Sequence, residues 1–156
     1  MSCVCIINGE YIIRLYNSSL VMEVCLDCTG SDGVSDGTKI VAHNNYNGQS
    51  NQEWILTEKN SEHFNQVGYQ IKSKLNNKCI FVDGYRENIN ETRDAIELSE
   101  CETKNSQIWI PTAHNQLKVP DFSPSKGGNV QRVYKNKCLQ INPNDNHKIY
   151  SGPCQP

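Results

Sequence analysis

The residues in this chain whose types and spacing most readily do chemistry are its eight cysteines. Cys3-Val4-Cys5 and Cys25-Leu26-Asp27-Cys28 form a C-x-C and a C-x-x-C. Four thiolates brought together suit a tetrahedral zinc ion. Two disulfides among the same four suit an oxidising compartment, and free thiols are the third state open to them. Zinc knots usually carry two C-x-x-C turns, so the C-x-C makes metal the less typical outcome. No metal and no cofactor is assigned. The other reactive groups are scattered. The four histidines stand in no Ser/His/Asp or Cys/His arrangement of diagnostic spacing, and Gly127-Gly128 lacks the rest of a phosphate-binding loop. No catalytic residue is assigned, and the chain is expected not to be an enzyme.

What must position any site is a repeated unit. A strand-like stretch at 37–41 and a polar turn at 47–50 lead into Gln52-Glu53-Trp54. Gln107-Ile108-Trp109 repeats the signature, and the residues before it align without a gap back to Cys101, which falls opposite Tyr46. Upstream, Tyr11-Ile12-Ile13-Arg14 leads to Val21 as Tyr69-Gln70-Ile71-Lys72 leads to Cys79, ten residues from the Tyr in both. A third copy runs from Asn129-Val130-Gln131-Arg132 into Cys138-Leu139-Gln140-Ile141. Positions 21, 79 and 138 are equivalent, so the unit recurs after 58 and then 59 residues. Self-similarity at a fixed period outranks local propensity.

Short β-branched and aromatic runs give strands at 11–15, 20–24, 116–119, 130–134, 138–141 and 148–151. Residues 25–36, 76–77, 84–93 and 120–128 read as turns or loops, and 58–67 as a polar connection. Nothing reads as a long amphipathic helix. The 156 residues suffice for one domain with a real core. A net charge of −2 with interspersed signs argues against nucleic acid or a polybasic membrane patch as partner. No apolar run approaches the roughly 18 residues of a membrane helix, so no membrane insertion is expected. The N-terminus has no basic n-region, and residues 4–7 are too short for an apolar h-region. That leaves a cytosolic chain or a mature secreted one. Asn17-Ser18-Ser19 and Asn90-Glu91-Thr92 are glycosylation sequons that fit the second weakly.

The paired Gln-x-Trp signatures resemble the ricin B-type lectin repeat. The resemblance implies an all-β chain, a β-trefoil with three pseudo-repeated four-strand lobes at about 10–57, 68–112 and 113–156. It makes Trp54 and Trp109 core anchors and the Gln behind each one a hairpin tie. Ricin-type lectins also carry within-lobe disulfides. Cys79 and Cys101 stand at matched places in lobe two and Cys138 and Cys154 in lobe three, while lobe one has Val21 and Tyr46 instead. Cys79 is therefore expected to pair with Cys101 and Cys138 with Cys154, which favours a secreted protein over a cytoplasmic one.

In the family a carboxylate accepts from vicinal sugar hydroxyls, a flat side chain stacks on the ring, and an Asn donates beside the Gln that orients the carboxylate. Carried over, lobe one has Glu23 as carboxylate, Asn51 as donor and Gln52 behind it. The stacking place falls on Asn44 without a gap, or on His43 if the strand carries a one-residue bulge. Family members use Asp and an aromatic there. Asp32 and Asp36 could line the same rim. Lobe two has Phe81 and Ser106 in the corresponding places, and a Phe accepts no hydroxyl. Lobe three has Gln140 without a third Gln-x-Trp, leaving Asn142, Asn144 and His147 for any different arrangement. The implied function is a lectin recognising galactose-type glycans or glycoproteins, with self-association as a route to avidity. The alternative is a trefoil protease inhibitor or interaction module presenting residues 84–93 or 120–128.

Overall fold

A computed structural model describes residues 8–14, 20–26, 37–60, 67–83, 94–102, 105–112, 117–118, 137–142 and 148–154. Eleven strands are described: β1 (Gly9–Tyr11), β2 (Val21–Val24), β3 (Ile40–His43), β4 (Trp54–Asn60), β5 (Val67–Ser73), β6 (Cys79–Asp83), β7 (Asp94–Ser99), β8 (Ile110–Pro111), β9 (Leu117–Lys118), β10 (Lys137–Asn142) and β11 (Lys148–Pro153). Three hairpins stand out. β2 pairs with β3, β6 with β7 and β10 with β11, all antiparallel.

The hairpins meet one another through their second strands. Val41 of β3 registers with Lys148 of β11, Ala95 of β7 with Tyr150 of β11, and Lys39 bridges to Glu97 of β7. Outside this triangle, β1 pairs with β4, β4 with β5 and β8 with β9, and Tyr69 bridges to Trp109. A mutual contact of three hairpins capping paired outer strands is a β-trefoil, the fold class expected.

The registers show why the sequence repeats. Met22, Ile80 and Leu139 hold one equivalent position in the three first strands, and their cross-strand partners are Ala42, Leu98 and Ser151. One step along, Ile40, Ile96 and Ile149 face Val24, Val82 and Ile141. All of these side chains are buried except Ile141, which packs half-buried against the cluster. Each fully buried Ile or Leu contributes about 1.5–3 kcal/mol of transfer free energy. The period of the sequence is thus the period of the core. Trp54 and Trp109 are completely buried, as expected of anchors. Each indole also satisfies a carbonyl in the first strand of its lobe's hairpin: Trp54 Nε1 donates to Met22 O at 2.9 Å and Trp109 Nε1 to Ile80 O at 3.4 Å.

The disulfides are Cys79–Cys101 and Cys138–Cys154. Cys25 is also disulfide-bonded and so cannot lend a thiolate to zinc, which corrects the four-thiolate alternative; Cys3, Cys5 and Cys28 lie outside the described residues. The polar connection at 58–67 is shorter than expected. β4 continues to Asn60 and β5 begins at Val67, because seven consecutive register pairs hold polar Glu58 and Lys59 in the ladder. Gly68 in that ladder has a steric reason to be glycine: a Cβ there would fall on Ile108 Cγ2. Among the described residues no helix is long and apolar enough to cross a membrane. The strand expected at 130–134, the loops 84–93 and 120–128 and the two sequons lie outside the described residues.

Candidate functional site

Each Gln-x-Trp opens with a single 3-10 turn, Ser50–Gln52 in lobe one and Asn105–Gln107 in lobe two. In lobe one Gln52 N donates to Gln49 O and Glu53 N to Ser50 O, the i→i+3 pattern of a tight turn. The turn drives the Gln side chain inward, and it is buried in both lobes. There the amide ties the hairpin to itself. Gln52 Nε2 donates to Asn45 O at 2.7 Å, and its Oε1 accepts from Asn47 N at 2.7 Å. In lobe two Gln107 Nε2 donates to Glu100 O at 2.8 Å and its Oε1 accepts from Glu102 N at 2.7 Å. The tie is identical; its second amide hydrogen is not.

In lobe one that hydrogen goes to Glu23. Gln52 Nε2 lies 3.0 Å from Glu23 Oε2, and Asn51 Nδ2 approaches the same oxygen at 3.5 Å. Asn51 Nδ2 also donates to Val24 O at 3.2 Å, holding the end of β2. Glu23 is half-buried, while Asn51 is only 5% exposed, too enclosed to work as an open rim donor. Its Oδ1 is buried without a hydrogen-bond partner among the described residues. Both amides converge on Oε2, and Oε1 of Glu23 receives no hydrogen bond from a described residue. The arrangement therefore presents one carboxylate oxygen, held in place from behind, as an acceptor.

His43 joins the same network through the backbone of Asn45. Its Nδ1 lies 3.1 Å from Asn45 O and 3.3 Å from Asn45 N. A protonated Nδ1 donates to the carbonyl, and a bare one accepts from the amide. Asn44 is exposed beside it. Two registers decide between these neighbours. The hairpins pair Val21 with His43 and Cys79 with Ser99, which sets His43 against Ser99. The Gln ties set Asn45 against Glu100. One residue of lobe one has no counterpart, and it is Asn44. That is the one-residue bulge of the sequence reading, and it sets His43, not Asn44, against Ser99. Asn45, whose backbone meets both Gln52 and His43, was not among the expected site residues. Its part is played by the backbone, which leaves no signal in side-chain type.

The other lobes lack this acceptor. In lobe two Phe81 holds the position of Glu23, and Gln107 gives its spare hydrogen to Ser99 Oγ at 3.0 Å. Ser106, in the place of Asn51, is buried. In lobe three Gln140 holds the position, but its Oε1 already accepts from Tyr150, its cross-strand partner, at 3.0 Å. Asn142 ends β10 opposite Lys148; Asn144, His147, Asp32 and Asp36 lie outside the described residues. Among the described residues no group of three or more His, Cys, Asp or Glu is placed to hold a metal ion.

Among the described residues, the ionised group with a clear perturbation is elsewhere. Lys74 is raised above its usual range, first by its hydrogen bond to Glu10 at 3.1 Å and then by the charges of Glu10 and Glu53. A raised lysine loses its contribution only at alkaline pH, so this exposed clasp gives no pH dependence near neutrality.

No protein-family model matches the chain. No curated protein matches it in sequence. Among solved structures the chain is similar to ThreeFoil, a designed 3-fold symmetric protein, with a TM-score of 0.63 over 94% of this chain and 90% of that one. Sequence identity is 13%, so the likeness is one of fold.

Proposed function

We propose that the chain is a non-enzymatic carbohydrate-binding protein of the ricin B-like, Gln-x-Trp type, acting outside the cell and taking glycans through its first lobe. The observation that carries this reading is the Glu23 carboxylate, fixed by Gln52 and Asn51 through one oxygen with the other left as acceptor. Hydrogen bonds from hydroxyls to an ionised acceptor are the stronger kind, and a group already held in place loses little freedom on binding. His43 and Asn44 stand exposed at the same edge. The replacements Phe81 and Gln140 favour a single working pocket.

Galactose-type glycans rank first as ligands, with glycoproteins as their carriers. Glu is one methylene longer than the Asp usual in the family, which should seat the sugar farther out. The disulfides are compatible with an extracellular protein. A single shallow pocket should bind free sugar in the millimolar range, about −4 kcal/mol. Useful avidity then requires self-association. A glycan array developed with free galactose as competitor tests the reading. Signal displaced by the free sugar is expected; no signal, or one that free sugar leaves untouched, overturns it.

A further inference from the structure

The chain contains two Asn-Gly pairs, Asn8-Gly9 and Asn47-Gly48. Asn-Gly is open to a self-reaction. The Gly backbone nitrogen attacks the Asn side-chain carbon Cγ, ammonia leaves carrying the nitrogen of the side chain, and a five-membered imide forms. Water then opens the imide to Asp or, through the other carbonyl, to isoaspartate. By sequence the two pairs are equal candidates. In the fold they are not.

Both side-chain carbonyls already face a backbone donor: Asn8 Oδ1 accepts from Glu58 N at 2.8 Å and Asn47 Oδ1 from Gln49 N at 3.0 Å. Such a donor stabilises the oxyanion that forms during attack. The difference lies at the nucleophile. Gly9 belongs to β1 and is registered with Leu56 of β4, so closing the ring would pull it out of the sheet. Gly48 stands in no strand, its N–H makes no hydrogen bond among the described residues, and it is exposed. Its φ of +78° is one that few other residues adopt, and a Cβ there would meet nothing within 4 Å.

We propose that Asn47 is a deamidation site of the folded protein, selected over Asn8 by the free Gly48 amide, and that its conversion switches off the lobe-one site. The second half rests on the glycan-binding reading above. Asn47 N is the donor to Gln52 Oε1, and Gln52 in turn holds Glu23. Isoaspartate adds one backbone atom between the residue 47 amide and Gln52. The 2.7 Å tie cannot close at the old length, and Gln52 loses the contact that aims its other end at Glu23. Either product also places a new carboxylate on the turn.

The test is incubation of the folded protein at mildly alkaline pH, with peptide mass mapping of both pairs over time, beside the same incubation in concentrated urea. Conversion at Asn47 several-fold faster than at Asn8 is expected in the folded protein, with the two rates converging in urea. Equal rates in the fold, or a faster Asn8, overturn the site. The converted fraction, separated by charge, is expected to lose affinity for any glycan that the fresh protein binds. Unchanged affinity overturns the switch. A fresh protein that binds no glycan removes the switch together with the lobe-one reading and leaves the mass mapping to decide the site alone. Asn47→Gln should stay unmodified at that position through the same incubation.

Discussion

Gln52 and Gln107 separate structure from function at the level of one side chain. Each ties its hairpin through the same two backbone groups, but only Gln52 spends its remaining hydrogen on a carboxylate. Gln52→Ala and Gln107→Ala should therefore destabilise alike, by about 2–3 kcal/mol each, since a buried amide and carbonyl lose their partners. Glycan binding should fall only with the first. Urea melts and binding measured on both variants check this; equal loss of binding would mean that loosened structure, not the site, is responsible. Ser151 offers a simpler test. It occupies the core position held by Ala42 and Leu98 in the other hairpins, and its hydroxyl is buried with no partner among the described residues. Ser151→Ala should be neutral or stabilising by up to about 1 kcal/mol in thermal unfolding. A clear loss would reveal a partner for the hydroxyl. That Glu23, Asn51 and Gln52 stand together was legible in the sequence because the contact between them is made by side chains. The part of Asn45 was not, because its backbone plays it.

At the scale of the element, lobes one and two are closed by a Trp, and lobes two and three by a disulfide. Trp54→Ala removes a fully buried indole and strands the Met22 carbonyl, and should cost about 3–5 kcal/mol. An unchanged melting temperature would contradict the assigned core. The bridged cysteines are 22 and 16 residues apart, and opening either loop should cost about 3 kcal/mol in the chain-entropy model. Melting the paired variants Cys79→Ala with Cys101→Ala, and Cys138→Ala with Cys154→Ala, against the wild type measures each. Lobe one has Val21 and Tyr46 in the matched bridge positions and carries no bridge of this kind there. Strand positions followed from the alternation of apolar residues and the Gln-x-Trp repeat. The 3-10 turns at Ser50–Gln52 and Asn105–Gln107 and the bulge at Asn44 did not. Three-residue turns have too little period to read, and a bulge shows only when two registers are compared.

Across the whole molecule the threefold core and the single acceptor obey different constraints. Met22, Ile80 and Leu139, and Ile40, Ile96 and Ile149, must repeat because the three hairpins bury one another. The equivalent set Glu23, Phe81 and Gln140 faces away from that core and is free to diverge. That is why a 58- and 59-residue repeat was legible, and with it the fold that the Gln-x-Trp resemblance implies, whereas the sugar is not: no repeat encodes what a single diverged position binds. The most direct test is a paired titration of Glu23→Ala and Phe81→Ala against the wild type with a glycan identified on the array. Glu23→Ala should abolish binding at a stability cost of about 1 kcal/mol, because Gln52 keeps Asn45 O and Asn51 keeps Val24 O. Phe81→Ala should lower stability through lost packing and leave affinity intact. Undiminished binding by Glu23→Ala would contradict the site.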